Sequence, residues 1–324
     1  MIIKVSDAQA KAILGSMRDI AFAHGDSRIS DADTRTIEAA ARIVLGLDDG
    51  VPTDLAACPP DALAGLMSAD QDDAVQAVRM LAVMSLVDGR IDPDKIALVQ
   101  QYADALSIHE AYLRVLAEAA AGEIAAASAC MIRKNAESFP RLDLEGIDTD
   151  PIAPFLPYRD GRDDPGLVAR YEALQELGAD TFGRAFWEHF KRNGFAFPGD
   201  PNGLAEGFTT PHDSSHVLSG YSTSPEGELL VSTFIGAMHP DHPMAAEVLP
   251  VLFSWHLGIP LNEIAGSRRG AFEPRKFWTA WDRGAATTVD MLSPEWDFWT
   301  AVQSPLDELR RAHSLPPSDP ALLA

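Results

Sequence analysis

The chain has 324 residues, 46% of them apolar, which is enough for two domains of ordinary size with a buried core. Its formal net charge is −22 and its pI is about 4.6, with an excess of acid in both halves. Nucleic acids and anionic lipids are bound through clustered Lys and Arg, so this charge argues against both as partners. The two cysteines, Cys58 and Cys130, indicate a reducing compartment without a disulfide framework.

The N-terminal segment MIIKVSDAQAKAILG lacks the charged region and the following apolar region of a signal peptide. No run approaches the roughly 20 apolar residues that cross a bilayer. We therefore expect a cytoplasmic protein whose membrane contact is at most peripheral, at the inner face.

Residues 1–139 are predicted to be helical throughout, because apolar residues recur at spacings of three and four. Two similar polar turns lie in this half, HGDSRIS at 24–30 and VDGRIDP at 87–93, and each separates two apolar helices. The simpler interpretation is one helix-to-helix turn used twice, with helix caps at Ser30 and Asp92. The alternative is a cation site formed by Asp26, Asp88 and Asp92, although the residue order of an EF-hand loop is absent.

Residues 140–166 are rich in proline, glycine and acid, which favours a linker. We expect its PFLPY patch, at 154–158, to dock onto a domain rather than to stay in water. Helical periodicity returns afterwards and is interrupted by prolines, several placed where a first helical turn tolerates them. The sequence therefore predicts an all-α protein with two helical domains, 1–139 and 167–324, joined by this linker.

Two imidazoles and two carboxylates crowd into residues 208–230, FTTPHDSSHVLSGYSTSPEGELL. His212 and His216 are four apart, so they share one helix face and can meet one metal ion. Asp213 lies about 100° further round the helix and reaches the same ion only from the side. Glu228 has to come from the next helix, folded back across a turn. These four side chains form the candidate metal site.

Helix capping alone explains part of the same stretch. Residues 210–213 have the form of a capping box, with Thr210 as N-cap and Asp213 at N3. The helix would end at Gly220, and a Ser-Pro pair would start the next helix, whose first turn holds Glu228. This alternative accounts for both carboxylates and leaves the two histidines unexplained.

Other candidates for chemistry are weaker. His239 and His242 lie in the proline-rich turn HPDHP, where surface imidazoles are expected. His256 sits on an apolar helix, which favours a hydrogen-bonded core histidine over a ligand. Arg275 and Arg283 could meet a substrate carboxylate, and a solvated helix face is the default.

The order His-Asp-x-x-His, with a Glu twelve residues after the second His, is the signature of the fourth Coq protein family of ubiquinone (coenzyme Q) biosynthesis. Three further segments resemble that family's helices: GRAFWEHFKRNGF (183–195), FWTAWDRGAATTVD (277–290) and WDFWTAVQSPLDELRRAH (296–313). The resemblance covers residues 151–315. It implies an all-α fold, a divalent metal on the four motif side chains and a prenyl lipid beside it. It also implies replacement of the C1 carboxyl of a ubiquinone precursor by hydroxyl.

The segment AVMSLVDGRIDPDKIALVQQYADALSI, residues 82–108, resembles the TerB-like (tellurite-resistance) helical domain, over roughly residues 10–122. That resemblance implies a cation-binding role for acidic residues in the turns. Ordinary members of the Coq family lack this fused domain and have apolar residues in place of Ser214 and Ser215. The two serines indicate a more polar floor of the site, and both differences indicate a related but different substrate.

From these observations we expect a metal-dependent oxidative decarboxylase with one divalent ion, Zn, Fe, Mn or Co, as cofactor. Glu228 and Arg283 are its candidate catalytic residues. A non-catalytic, metal-stapled prenyl-lipid-binding or scaffold protein is the alternative, and a phosphohydrolase of the HD type ranks last. The expected partners are a prenylated quinone precursor or other isoprenoid lipid and further quinone-biosynthesis proteins, and a homodimer is left open. The residues expected to bind substrate are Tyr221, Phe234, Phe253, Trp278 and Trp281, which would wall an apolar pocket.

Overall fold

A computed structural model describes residues 3–23, 25, 29–52, 55–262, 266–315 and 320–323. Within these ranges the protein is all-α, as predicted, and contains no strand. The N-terminal half holds seven helices: α1 (Asp7–Phe22), α2 (Asp31–Ile43), α3 (Pro60–Met67), α4 (Gln71–Met84), α5 (Pro93–Ala105), α6 (Ala111–Ala120) and α7 (Ile124–Ser138). None of the described helices is long and apolar enough to cross a bilayer.

The C-terminal half continues with α8 (Pro165–Glu172), α9 (Phe182–Asn193), α10 (Glu206–Ser219), α11 (Pro225–Met238), α12 (Leu249–Val251), α13 (Pro274–Ala286), α14 (Phe298–Ala301) and α15 (Leu306–Ala312). The short α12 lies between two π-helical stretches, Pro243–Val248 and Leu252–His256. Single 3₁₀ turns occur at Ala153–Phe155, Ala173–Glu176 and Pro320–Leu322. A π-helix is rare and often marks a functional site, so residues 243–256 stand out in this fold.

Helix starts follow the capping signals in the sequence. The Ser30 side chain accepts from the Asp33 backbone N–H while the Asp33 carboxylate accepts from the Ser30 N–H, which closes the predicted capping box. Asp92 caps α5 through the backbone N–H groups of Asp94 and Lys95, and Pro93 occupies the first helical position. Local chemistry thus explains where α2 and α5 begin.

The acidic turns of the N-terminal half hold a lysine. Lys95 is fully buried, and its ammonium lies 3.3 Å from Asp33 Oδ1 and 3.0 Å from Asp88 Oδ2. Asp92 serves as the α5 cap, and Asp26 lies outside the described residues. Among the described residues the arrangement therefore favours a structural helix-to-helix turn over a cation site.

Side chains from both halves pack together. Buried apolar residues of the two halves form one continuous cluster, in which α2 packs on α13 and α7 packs on the π stretch 243–248. The indole of Trp278 donates to the Thr36 carbonyl at 3.2 Å, and Nε2 of His256 donates to the Val87 carbonyl at 3.1 Å. The domain limits stay a prediction, but the two halves meet over a buried interface.

The predicted linker is docked at its PFLPY patch, as expected. Phe155 and Leu156 are buried, and the Phe155 ring meets the edge of Phe208 with centroids 5.2 Å apart. The Tyr158 hydroxyl accepts from the backbone N–H of Glu206 at 3.3 Å. Residues 153–158 therefore brace the start of α10.

Candidate metal centre

Helix α10 carries both motif histidines, begins at Glu206 and contains Pro211 in its interior. The predicted capping box is therefore wrong, because Thr210 lies inside the helix and donates its hydroxyl to the Glu206 carbonyl. Tertiary contacts explain the earlier start. The Glu206 carboxylate accepts from the Tyr171 hydroxyl at 2.9 Å and from the Trp299 indole at 3.2 Å. The contacts of Glu206 therefore favour a helix start four residues before Thr210, although residues 210–213 have the sequence of a capping box.

The turn after α10 is as predicted. Gly220 ends the helix with a φ of 85°, a left-handed conformation that favours glycine. Ser224 caps α11 by accepting from the Gly227 N–H at 3.1 Å, with Pro225 at the first helical position. Glu228 consequently lies in the first turn of α11 and faces back toward α10.

Three of the four predicted ligands come together. His212 Nε2 lies 3.5 Å from Glu228 Oε2, and His216 Nε2 lies 3.5 Å from Glu228 Oε1. Their ligand atoms all lie within 4.8 Å of one another, and within the described ranges this is the group of acids, histidines and cysteines that fits a metal ion. One carboxylate thus bridges two imidazoles that share a helix face.

The tautomer of His216 suits metal ligation. Its Nδ1 lies 3.0 Å from the Tyr221 carbonyl, which can only accept, so Nδ1 carries the hydrogen and Nε2 presents a lone pair. That Nε2 is buried and has no hydrogen-bond partner. A second contact that fixes the ring in this way is typical of a metal-ligating histidine. The residues present therefore fit a divalent cation.

Electrostatics favour a cation at the same place. Burial alone would lower the pKa of His212, but Glu228 outweighs it and raises the pKa to about 9. Burial alone would raise the pKa of Glu228, but His216 and His212 outweigh it and lower the pKa. Glu228 is thus an ionised carboxylate that holds positive charge on the His212 imidazole. A divalent ion at this place would replace that proton.

Asp213, the fourth predicted ligand, lies apart from this group. Its Oδ1 is 2.8 Å from Nε2 of His189 on α9, and the His189 ring stacks on His216 with centroids 5.5 Å apart. The contact leaves Oδ2 for a metal, so ligation by Asp213 stays a prediction. His189 was missed at the sequence level, although it lies in one of the family-like segments, at 183–195.

A cavity of about 660 Å³ opens beside the three ligands. His212, Asp213 and Glu228 lie in its wall together with one further acid, Glu247. Aromatic side chains from the linker, α9, α10 and the second π stretch provide much of the remaining wall, namely Phe155, Phe190, Phe195, Phe208 and Trp255. An apolar wall with a few convergent polar groups is typical of a site for an apolar ligand.

The residues predicted to bind substrate do not line this cavity. All five lie in the core: Tyr221, Phe234, Phe253, Trp278 and Trp281. Helical periodicity identifies an apolar face but not whether that face meets a cavity or another helix. Trp278, for example, packs onto α2 of the N-terminal half. Two of the five rings in the wall, Phe190 and Phe208, lie on α9 and α10, and the other three lie outside α-helices.

Arg283, a predicted catalytic residue, also lies outside the cavity wall. Its Nη2 donates to the Ser219 carbonyl at 2.9 Å, and its guanidinium lies 5.0 Å from the centre of the Tyr221 ring. It therefore stabilises the C-terminal end of α10. Ser214 and Ser215 are fully buried and absent from the wall, which corrects the expected polar floor.

The weaker candidates divide between core and surface. His256 is a buried, hydrogen-bonded histidine as predicted, and burial lowers its pKa. His239 is buried rather than on the surface, and its Nδ1 lies 2.8 Å from Asp290 Oδ2. His242 and Arg275 are exposed.

Glu247 is the second functional candidate that sequence reasoning missed. It is 2% exposed, lies in the π stretch 243–248, and accepts at Oε1 from Ser138 Oγ at 3.1 Å and Asn135 Nδ2 at 3.3 Å. Burial raises its pKa to about 7, although His212 and His239 act to lower it. The signal was a single acid inside the apolar run MAAEVLPVLF.

No protein-family profile matches this chain, and no curated protein matches it either. The family resemblances of the two halves therefore stay predictions.

Proposed function

We propose that this chain is a metal-dependent enzyme of ubiquinone or related prenylated-quinone biosynthesis. It would replace the ring carboxyl of a prenylated hydroxybenzoate by hydroxyl, as the resemblance of residues 151–315 implies. The observation that carries the proposal is the cluster of His212, His216 and Glu228, two members of which, His212 and Glu228, lie in the wall of an aromatic-lined cavity. A ring with an apolar tail requires this combination of a charged centre and an apolar wall.

Three converging ligands support an enzyme over a closed structural metal site. Structural zinc sites have four protein ligands, whereas catalytic sites keep a position for water or substrate. Asp213 is not part of the three-ligand group, because its Oδ1 contacts His189 instead. Imidazole and carboxylate ligands suit Zn, Fe, Mn or Co. Such an ion would stabilise negative charge on the ring as CO2 leaves, and a redox-active one would activate dioxygen.

The proposed reaction balances with water and dioxygen. Loss of CO2 and gain of a hydroxyl from water remove two electrons from the ring, and dioxygen accepts them together with two protons as hydrogen peroxide. The protein's own groups would hold the ring. Glu228 stays ionised between the two imidazoles, and the aromatic wall excludes water from the tail.

The cavity wall also bears on lipid access. Phe195 belongs to the wall and is 41% exposed, so an apolar side chain lies at the rim. A tail that enters here buries apolar area worth about 25 cal/mol per Å². We propose peripheral contact with a membrane surface at this rim, where the enzyme would collect its prenylated precursor.

The same wall favours a second candidate, a metal-stapled prenyl-lipid carrier or scaffold for other quinone-biosynthesis proteins. A carrier needs the cavity but no open metal position. Exchange of metal-bound water, measured by relaxation of the Mn²⁺-loaded protein, separates the two, because a carrier with a closed site would exchange no water.

The decisive experiment is aerobic incubation of the metal-loaded protein with a prenylated 4-hydroxybenzoate. Carbon dioxide and the ring-hydroxylated product are expected in equal amounts, and Glu228→Gln should abolish both. Substrate affinity should rise with tail length. Turnover that is absent with Zn, Fe, Mn and Co alike, or affinity indifferent to the tail, would refute this function.

A further inference from the structure

One wall of the cavity comes from the other half of the molecule. Met131, Ile132 and Asn135, all on α7, line the cavity together with Glu247. Helix α7 is the last helix of the N-terminal half and packs along the π stretch that carries Glu247. The N-terminal half thus contributes directly to the candidate site.

Glu247 is held by α7 through one of its two oxygens. Both hydrogen bonds to its carboxyl group, from Ser138 Oγ and Asn135 Nδ2, end on Oε1. Asn135 also donates to the neighbouring Ala246 carbonyl at 2.9 Å, which fixes the amide between the two acceptors. Among the described residues Oε2 has no hydrogen-bond partner, and Glu247 borders the cavity.

The other acids of the wall are already engaged. Asp213 contacts His189, and Glu228 lies between the two motif imidazoles. Glu247 is the remaining carboxyl group in the described part of the wall, and it is shielded from bulk water. Its Oε2 accepts no hydrogen bond from the described residues, so a ligand in the cavity that supplies a donor would give this oxygen a partner.

We propose that Glu247 is a specificity-determining residue whose Oε2 accepts the hydrogen bond of the substrate's ring hydroxyl. This inference rests on the proposed function, since it takes the ligand to be a hydroxylated aromatic acid. Ser138 and Asn135 act as positioning residues from α7. A site built around a ligand hydroxyl discriminates strongly against the analogue that lacks it, because the buried acceptor then stays unpaired.

The test measures binding rather than turnover. The full chain is loaded with Zn²⁺, which is not redox-active, so bound probe is not oxidised. Calorimetry then compares a prenylated 4-hydroxybenzoate with the matching prenylated benzoate, which lacks the ring hydroxyl. The wild type should bind the hydroxylated probe about tenfold to a hundredfold more tightly. In Glu247→Met the two affinities should become nearly equal, with metal content unchanged.

Two further variants complete the experiment. The double variant Asn135→Ala/Ser138→Ala keeps the carboxyl group but loosens it, and should reduce the preference for the hydroxylated probe. Glu226→Met is the control, because Glu226 pairs with Lys276 and lies outside the cavity wall. It should keep the wild-type preference.

The outcomes are distinguishable. Equal affinity of the wild type for both probes, or an unchanged preference in Glu247→Met, overturns the role of Glu247 and leaves the proposed function standing. If Glu247→Met does not fold, an unchanged preference in the Asn135→Ala/Ser138→Ala protein overturns it instead. Failure of the wild type to bind either probe refutes the proposed function as well.

Discussion

Each half of this molecule contains a cluster of carboxylates and basic side chains, fully buried in the N-terminal half and partly buried in the C-terminal half. In the N-terminal half, Asp33 and Asp88 surround the ammonium of Lys95. In the C-terminal half, Glu228 lies between two imidazoles and has no Lys or Arg partner in the described ranges. The cation of the first cluster is a lysine that stays charged, whereas the positive charge of the second is a proton on His212 that a metal ion could replace. A group of acidic residues is therefore a weaker indication of a metal site when a lysine of the same chain already lies among them.

The largest expected effect concerns the lysine-filled cluster. Lys95→Met leaves Asp33 and Asp88 buried with less compensation, which should lower the free energy of unfolding by about 3–5 kcal/mol. Chelators should not change that loss. Arg90→Met is the control, because Arg90 is 63% exposed and contacts the same Asp88 from the surface. It should cost less than about 1 kcal/mol in urea denaturation. Equal losses in the two variants would contradict a buried structural lysine.

The next effect is the pH dependence of Glu247 in metal-free protein. Its folded pKa of about 7 lies above its ordinary 4.5, so its contribution to stability is complete below pH 4.5 and is lost as the pH rises through 7. Relative to Glu247→Gln, the wild type should lose on the order of 3 kcal/mol over this range.

Urea denaturation at several pH values, in the presence of chelator, measures this difference. Glu137→Gln is the control of opposite sign. Burial acts to raise the pKa of Glu137, but Lys134 and Arg133 outweigh it and lower the pKa, so its contribution is lost as the pH falls. A flat difference between wild type and Glu247→Gln would show that Glu247 is solvated.

Metal binding at the second cluster should stabilise the fold by a slightly smaller amount. Elemental analysis should find close to one divalent ion per chain, and an ion at 100 times its Kd adds about 2.7 kcal/mol. The double variant His212→Ala/His216→Ala should lose both the ion and the stabilisation. His242→Ala, which removes an exposed imidazole, should keep both. Metal content unchanged in the double variant would rule out this centre.

The smallest expected effect concerns a hydrogen bond across the interface between the two halves. Trp278→Phe keeps the buried ring but removes the hydrogen bond to the Thr36 carbonyl, which should cost about 0.5–1.5 kcal/mol. Thermal unfolding should remain a single transition, because the buried cluster is continuous across both halves. Two separate transitions in the wild type would show that the halves unfold independently.

Local chemistry made much of the fold predictable. Ser-Pro and Asp-Pro pairs located the starts of α11 and α5, and Gly220 located the end of α10. The spacing of His212 and His216 fixed a shared helix face before any tertiary contact was known. These features depend on residues within four positions of one another.

Features that depend on distant contacts could not be predicted. The start of α10 is set by Tyr171 and Trp299, and the partner of Asp213 comes from α9. The cavity wall is assembled from α7, the linker, α9, α10, α11 and the π stretches, so the periodicity of no single helix predicts it. The aromatic residues expected there, such as Trp278 and Trp281, lie in the core, because periodicity does not distinguish a helix face that meets a cavity from one that meets another helix.

The orientation of Glu247 depends on the number of residues in the π stretch 243–248. A π turn closes i→i+5 hydrogen bonds where an α turn closes i→i+4, so it accommodates one additional residue. Removal of a single residue such as Ala245 would let the segment relax to an α-helix. The side chains inside the stretch, Glu247 among them, would then change their angle about the helix axis, while the residues beyond it would keep theirs. The direction in which Glu247 points thus depends on the residue count of one helical turn. Deletion of one residue there would move its carboxyl group without any substitution in the cavity wall.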